Sequence, residues 1–288
     1  MEKYGEIDSY TVMYGVFGDP VRHSKSPIML NRAFREAGLN AAYAAFHILP
    51  GQLEDAVKGI RALGFRGVNV TIPHKQEVMK YLDEIDEEAR EIGAVNTIVN
   101  EQGRLIGYNT DGIGYVRSLK EETGLSLRGK SILLLGAGGA SRGVVYALAK
   151  EQPAAIWIAN RTKERAEQLA REMGKYADTT GIGMDAVAAF AKRADLVINN
   201  TPVGMYPNVD ETPLDASLIR PHAVVSDLVY NPLITRFLRE AEAAGATVHG
   251  GLGMFVYQGA YAFEYWTGLP APIAAMREVV ERSFSQQA

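Results

Sequence analysis

Residues 131–141 read SILLLGAGGAS, an apolar run that ends in a glycine cluster and opens onto RGVVYALAK, whose apolar positions recur at helical spacing. An apolar run that ends in this way is a strand leading into a tight turn and then a helix. Gly136 and Gly138 permit that turn and let backbone N–H groups approach a pyrophosphate at the helix N-terminus. A glycine pattern by itself is a weak signal, but a strand before it and a helix after it make it a dinucleotide-binding loop. Gly136, Ala137, Gly138, Gly139 and Ala140 are therefore the candidate phosphate-binding residues. The sixth position is Ser141 where Gly or Ala is usual, a departure expected to alter the helix-to-strand contact slightly, with Gly143 relieving it.

The end of the following strand specifies the dinucleotide. An Asp or Glu there would hold a ribose 2′-hydroxyl, but this chain has Asn160, Arg161, Thr162 and Lys163, with Arg165 one turn further on. Guanidinium groups present forked donors to phosphate, so this segment points to a 2′-phosphate and to NADP (NADPH) over NAD.

From this loop the same rhythm extends in both directions. Downstream, a helix at 140–150 and strands at 155–159, 196–199, 224–227 and 247–249 continue a doubly wound series, and 252–266 and 272–283 are helical. The last helix has no strand of its own to cover, so it is expected to return to the first domain. Upstream, strands at 11–17, 42–48 and 67–72 alternate with helices at 27–37 and 53–63. Short helices are expected through 75–92, a hairpin pairing 95–99 with 105–108 across Glu101-Gln102-Gly103, and a helix at 112–122. The expected fold is α/β with two domains: a mostly parallel α/β substrate domain of residues 1–111 and 253–288, and a Rossmann-type NADP domain of residues 112–252.

Composition narrows the class. A chain of 288 residues with 47% hydrophobic content is long enough for two cores. A formal charge of −4 offers no basic field for a polyanion, which argues against nucleic acid and for a small-molecule partner. The absence of cysteine excludes disulfides, thiolate metal sites and a thiol nucleophile, and suits a reducing compartment, so the expected location is cytoplasmic. The opening MEKYGEIDSY lacks the basic and apolar regions of a secretory signal, and the apolar stretch 250–268 is broken by Gln258, Glu264 and several glycines, so no membrane span is expected. The five histidines form no helical metal-binding pattern, and no metal is expected.

The first half carries the polar chemistry. Side chains leaving the carboxyl ends of strands in an open α/β sheet face the ligand crevice, and there this chain places Asn69, Thr71, Lys75, Asn96 and Asp111. Taken singly, Lys75 reads as the start of a surface helix and Asp111 as a helix cap. Together these groups would offer several hydrogen bonds to a hydroxylated ligand. Ser24-Lys25-Ser26-Pro27 precedes a helix, with Ser26 and Pro27 suited to the N-cap and first turn. A cap alone and a cap that also binds an anion are equally consistent with that segment.

The segments VFGDPVRHSKSP (16–27), NVTIPHK (69–75), AVNTI (94–98), GYNTDG (107–112), LLGAGGASRG (134–143), ANRT (159–162), NTPVGM (200–205) and GGLGMFVYQGAYAFEYWTG (250–268) resemble, in order and over nearly the whole chain, those of the shikimate dehydrogenase family. The resemblance implies NADP-dependent interconversion of 3-dehydroshikimate and shikimate, a step toward chorismate and the aromatic amino acids, by a monomer or homodimer. It implies Lys75 as catalytic lysine with Asp111 its partner, and Ser24 and Ser26 as carboxylate-binding serines. It further implies Thr71, Asn96, Asp111 and Gln258 as hydroxyl-binding groups, Tyr230 as completing the substrate pocket, and Leu228 and Gly251 near the nicotinamide. Leu30 departs from the pattern, standing where histidine is common. A lysine is almost wholly protonated near neutral pH and so is a ready acid for ketone reduction. The loop 202–213 is expected to help cover the nicotinamide. A quinate or quinate/shikimate dehydrogenase, an aminoshikimate relative, a folate-type dehydrogenase and a non-catalytic NADP sensor are the rival readings.

Overall fold

The computed structural model describes residues 7–285 of the chain. Residues 1–6 and 286–288, which fall within the expected first domain, lie outside the described residues. The described chain forms two compact units, one comprising the residues up to Thr110 and from Val256 onward, the other Asp111–Phe255.

The first unit begins with β1 (Val12–Gly18), α1 (Ser26–Glu36), β2 (Ala41–His47), α2 (Leu53–Ala62) and β3 (Gly67–Val70). It continues through β4 (Glu84–Ile85), α3 (Glu87–Ile92), β5 (Thr97–Glu101) and β6 (Arg104–Tyr108). The sheet order is β2-β1-β3-β5-β6-β4. β1 pairs in parallel with β2 and β3, and β4 with β6, while β5 runs antiparallel between β3 and β6. The stretch expected as short helices is a 3-10 turn at Glu77–Tyr81, then β4, then α3. Asp86 caps α3 by accepting from Glu88 N–H at 3.0 Å, and Gly93 ends it at φ +73. The hairpin is tighter than expected: Glu101 belongs to β5, and the turn is Gln102 and Gly103 alone. Both have positive φ, +54 and +97, the signature of a two-residue turn whose twist matches its strands.

One face of this sheet packs Phe17, Val68, Val70 and Ile98 against Leu53, Val57 and Ile60 of α2. On aromatic contacts, Tyr14 of β1 stacks on Phe34 of α1 at 4.6 Å and meets Trp266 at 5.1 Å. Trp266 belongs to α9 (Gly251–Thr267), whose last turns, with α10 (Ile273–Ser285), belong to this unit. Its indole N–H donates to Ile98 O at 2.9 Å, and only a glycine at 67 leaves room for the ring. Leu30, the departure from the family pattern, is wholly buried on α1.

The second unit runs α4 (Asp111–Thr123), β7 (Ser131–Leu135), α5 (Ser141–Lys150), β8 (Ala155–Asn160), α6 (Lys163–Met173), β9 (Thr179–Gly183), α7 (Val187–Ala191), β10 (Leu196–Asn199), β11 (Val224–Asp227), α8 (Arg236–Ala243) and β12 (Thr247–His249) before the first turn of α9. Its sheet, β12-β11-β10-β7-β8-β9, is parallel throughout, the order of a doubly wound dinucleotide fold. Alternate β7 residues explain the continuous apolar run: Leu133 and Leu135 join Val187, Phe237 and Leu238 on one face, while Ile132 and Leu134 are buried on the other. β9 is a strand that the sequence pattern does not suggest. Its sequence, TTGIG, is short of apolar residues, and Gly181 is there because a side chain would collide with the backbone of Glu167 on α6.

Candidate functional site

In the first unit the strand register gathers the polar residues at one sheet end. Asn69 of β3 sits opposite Thr97 of β5, and Thr97 opposite Tyr108 of β6, so the end of β3, the start of β5 and the exit of β6 coincide. Asn69 Nδ2 donates to Thr97 Oγ1 at 3.1 Å and to Asn96 O at 3.2 Å, while its Oδ1 accepts from the Tyr43 hydroxyl at 2.7 Å. Burial pushes the Tyr43 phenol well above its usual range, opposed by a hydrogen bond with Ser26, so it acts as a neutral hydroxyl joining β2, α1 and β3. Asn96 Oδ1 accepts from Thr110 N–H at 2.8 Å and Asn96 Nδ2 donates to Thr110 Oγ1 at 3.0 Å. Thr110 Oγ1 in turn donates to Gln258 O at 3.0 Å. Asn69, Asn96, Thr97 and Thr110 are all buried, and such a network holds its members in fixed orientations.

Lys75 follows a turn in which His74 N–H donates to Thr71 O at 2.9 Å and the wholly buried His74 ring donates from Nε2 to Ile48 O at 2.7 Å. Lys75 O accepts from Val95 N–H at 2.8 Å, so its backbone is fixed from both sides while the side chain is half-buried. Ser26 is not the N-cap expected from the sequence. It is the first residue of α1; Lys25 holds the N-cap position without a side-chain cap, the Ser26 N–H donates to Ser24 Oγ at 3.2 Å, and Pro27 falls in the first turn. Asp111 is the buried first residue of α4, placed where a carboxylate meets the positive end of the helix.

In the second unit a cavity of about 640 Å³ opens at the carboxyl end of β7, within the range of ligand pockets. Gly136, Ala137 and Gly138 line it together with Asn160, Arg161 and Arg165, and the loop 200–213 forms the opposite wall. Gly136 has φ +109, and a Cβ there would lie 2.8 Å from Asn200 O, so only glycine fits. A Cβ at Gly138 or Gly139 would meet nothing within 4 Å, leaving the backbone approachable. No side chain caps α5, and its Ser141 N–H donates to Gly138 O at 3.1 Å. These features fit a dinucleotide pyrophosphate. The fit extends to a 2′-phosphate: Arg161 and Arg165 are exposed in the cavity wall, and neither forms an ion pair among the described residues.

Ser141 does more than the expected slight alteration of helix-to-strand contact. It is wholly buried, its Oγ donates to Gly136 O at 3.1 Å and accepts from Asn200 Nδ2 at 2.5 Å, and so ties the glycine loop to the opposite wall. Gly143 has a separate task, since its carbonyl lies where a side chain at Gly112 of α4 would be. Asn160 Oδ1 accepts from Ala137 N–H at 3.3 Å, which fixes the loop to β8.

The segment after β11 completes the unit. Burial pushes the Asp227 carboxyl up to about 6, against hydrogen bonds from Val229 N–H, Thr235 and Asn199 that favour its charged form. Leu228 and Gly251 meet: a side chain at Gly251 would strike the Leu228 carbonyl. Tyr230 stacks on Phe255 at 4.8 Å and burial raises its phenol.

Of the candidate cofactor residues, Gly136, Ala137, Gly138, Asn160, Arg161 and Arg165 share the cavity wall, whereas Gly139, Ala140, Thr162, Lys163, Leu228 and Gly251 do not line it. Lys163 is engaged with Glu167 at 3.4 Å. The sequence reading misses Asn200 and Thr201, which line the same cavity, although NTPVGM marks their segment. Among the described residues no cluster of three or more acidic or histidine side chains could hold a metal ion, and no helix is long and apolar enough to cross a membrane.

Comparison with known proteins gives consistent matches along the chain. The family model for the shikimate dehydrogenase substrate binding domain matches residues 16–98, that for shikimate / quinate 5-dehydrogenase residues 118–206, and that for the shikimate 5'-dehydrogenase C-terminal domain residues 251–281. The chain is 50% identical to the shikimate dehydrogenase (NADP(+)) of Geobacillus kaustophilus, over 93% of this chain and 97% of the relative. A crystal structure of a shikimate dehydrogenase in complex with NADP+ superposes with a TM-score of 0.92 at 46% identity, covering 99% of each chain. The enzyme of Thermus thermophilus in complex with NADP(H) and shikimate superposes with a TM-score of 0.86 at 41% identity, over 94% of this chain and 99% of that one.

Proposed function

This chain belongs to the shikimate dehydrogenase family, and on that premise we propose that it catalyses the NADP-dependent, reversible reduction of 3-dehydroshikimate to shikimate on the route to chorismate and the aromatic amino acids. The observation that carries the reading is the cavity lined by the glycine loop Gly136–Gly138 together with two arginines that have no ion-pair partners among the described residues. Bound NADPH supplies the hydride, and the protein's task is to bind, orient and manage the proton.

Arg161 and Arg165 hold the 2′-phosphate, and the backbone from Gly136 to Gly138 holds the pyrophosphate. Ser24 and Ser26 bind the substrate carboxylate at the start of α1. Asn69, Thr71, Asn96 and Gln258 bind and orient its hydroxyls, and Tyr230 closes the pocket. Lys75 donates a proton to the oxygen that becomes the hydroxyl, and takes it back in the oxidative direction; Asp111 orients the lysine and the substrate. The half-buried side chain of Lys75 and its doubly anchored backbone support this role, because an acid must be held at its station to act efficiently. The protein works in the cytoplasm as a monomer or homodimer, without a nucleic-acid partner.

Substitution tests the assignment. Lys75→Ala should lower kcat by a factor on the order of 10²–10⁴ while the Kd for NADP stays near that of the unaltered protein. Near-normal turnover at saturating substrate and cofactor would remove Lys75 from the chemistry.

A further inference from the structure

Two polar side chains at the ends of neighbouring strands have no role in the mechanism above. Asn199 is the last residue of β10 and Asp227 the last of β11, opposite one another in the parallel register, and both are wholly buried. Asn199 Nδ2 donates to Asp227 Oδ1 at 2.9 Å and to Val203 O at 3.1 Å, and its Oδ1 accepts from Thr201 N–H at 3.1 Å and Thr201 Oγ1 at 2.7 Å. Every donor and lone pair of the amide is thus used. Asp227 Oδ1 also accepts from Val229 N–H at 3.0 Å, and its Oδ2 accepts from Thr235 Oγ1 at 2.7 Å.

Thr201 and Val203 line the dinucleotide cavity. In a doubly wound sheet of this order the adenosine half lies over β7 and β8, where Arg161 and Arg165 are, and the second mononucleotide half lies over β10 and β11. The pair therefore sits beneath the nicotinamide half. We propose that Asp227 and Asn199 act as a positioning pair, fixing the backbone at 201–203 and 228–230 from below so that the nicotinamide-side wall is preformed, without touching the cofactor. Stability alone does not account for the carboxylate. It has no ion-pair partner among the described residues, and a buried charge of this kind is held at a cost that an apolar pair would avoid.

The inference rests on the functional reading above, and its test separates the two. Asp227→Asn keeps the shape but replaces charge-assisted hydrogen bonds with neutral ones, and Thr201→Val, on the partly exposed loop, removes the shorter, hydroxyl bond to Asn199 and leaves the backbone one. The Kd values for NADP and for adenosine 2′,5′-bisphosphate, which has the phosphates of the adenosine half but no nicotinamide, would be measured by titration calorimetry. Both variants should weaken NADP by at least about fivefold and leave the bisphosphate within about twofold of the unaltered protein. Equal losses for the two ligands, or NADP binding within about twofold in either variant, would overturn the proposal. If Asp227→Asn does not fold, Thr201→Val decides. Unaltered protein that binds neither ligand would refute the functional reading and this inference with it, whereas unaltered binding of both with an unchanged ratio in the variants would refute the inference alone.

Discussion

Arg161 and Arg165 should carry the preference for NADP over NAD, and removing them should abolish it. Arg161 follows β8 and Arg165 lies in the first turn of α6, so both reach the same end of the cavity. A hydrogen bond to a charged group contributes about 1.5–3 kcal/mol. Both guanidiniums are exposed, which places each near the lower figure and makes a single Arg→Ala substitution cost about tenfold in kcat/KM for NADP. The double variant should lose roughly 50- to 100-fold, somewhat less than the product because neighbouring groups on one phosphate are coupled. NAD carries no 2′-phosphate, so its kcat/KM should change by less than about twofold. The loss should fall on KM with kcat preserved, because binding at this end is the same in ground and transition states. It should also shrink with salt, since the Debye length is only about 8 Å at physiological ionic strength. The assay is steady-state nicotinamide absorbance with each dinucleotide at two salt concentrations. A double variant that kept the parental NADP/NAD ratio would refute the assignment of these residues to the phosphate.

Three further outcomes follow from the geometry. Gly136→Ala combines a positive φ with a Cβ 2.8 Å from Asn200 O, so it should weaken NADP by more than about tenfold and cost about 1–3 kcal/mol of stability; titration and urea unfolding would check both, and unchanged binding would contradict the tight-turn argument. Burial raises Asp227 from 3.8 to about 6, so the folded protein binds more protons than the unfolded chain between those values, and this residue's contribution to stability falls as pH rises through that window. The fall amounts to about 3 kcal/mol, and the stability of Asp227→Asn relative to the parent should rise by up to that much from pH 4 to pH 7; parallel urea profiles would show the burial cost to be absent. Gly67→Ala would displace the Trp266 indole and its bond to Ile98 O, destabilising the protein by about 2–4 kcal/mol; an unfolding midpoint equal to the parent's would show that the ring can move aside.

How much could be read in advance depends on whether the signal is local. The strand 131–135 and its glycine loop are legible because apolar run, turn chemistry and helical spacing agree within a dozen residues. The nearness of Arg161 to that loop follows as well, because successive parallel strands end side by side. β9 is illegible because its place at the sheet edge is secured by a close approach to α6, which no local pattern encodes. Gln102 likewise gives no composition cue for the positive φ that closes the hairpin. Ser141 reads as a blemish on a glycine motif until Asn200, distant in sequence, is seen to donate to it. Ser24 and Ser26 show the limit on capping rules: neither of two hydroxyls two residues apart holds the N-cap position, which the backbone geometry gives to Lys25 between them.

The activity is tested by the rate of NADP reduction by the purified protein with shikimate, with quinate and with no added acid, each repeated with NAD. Turnover with shikimate and NADP should exceed every other combination by at least about tenfold. Comparable rates with quinate or NAD would contradict the specificity drawn here, and firm binding of NADP with no turnover of either acid would contradict the claim that this chain is a dehydrogenase.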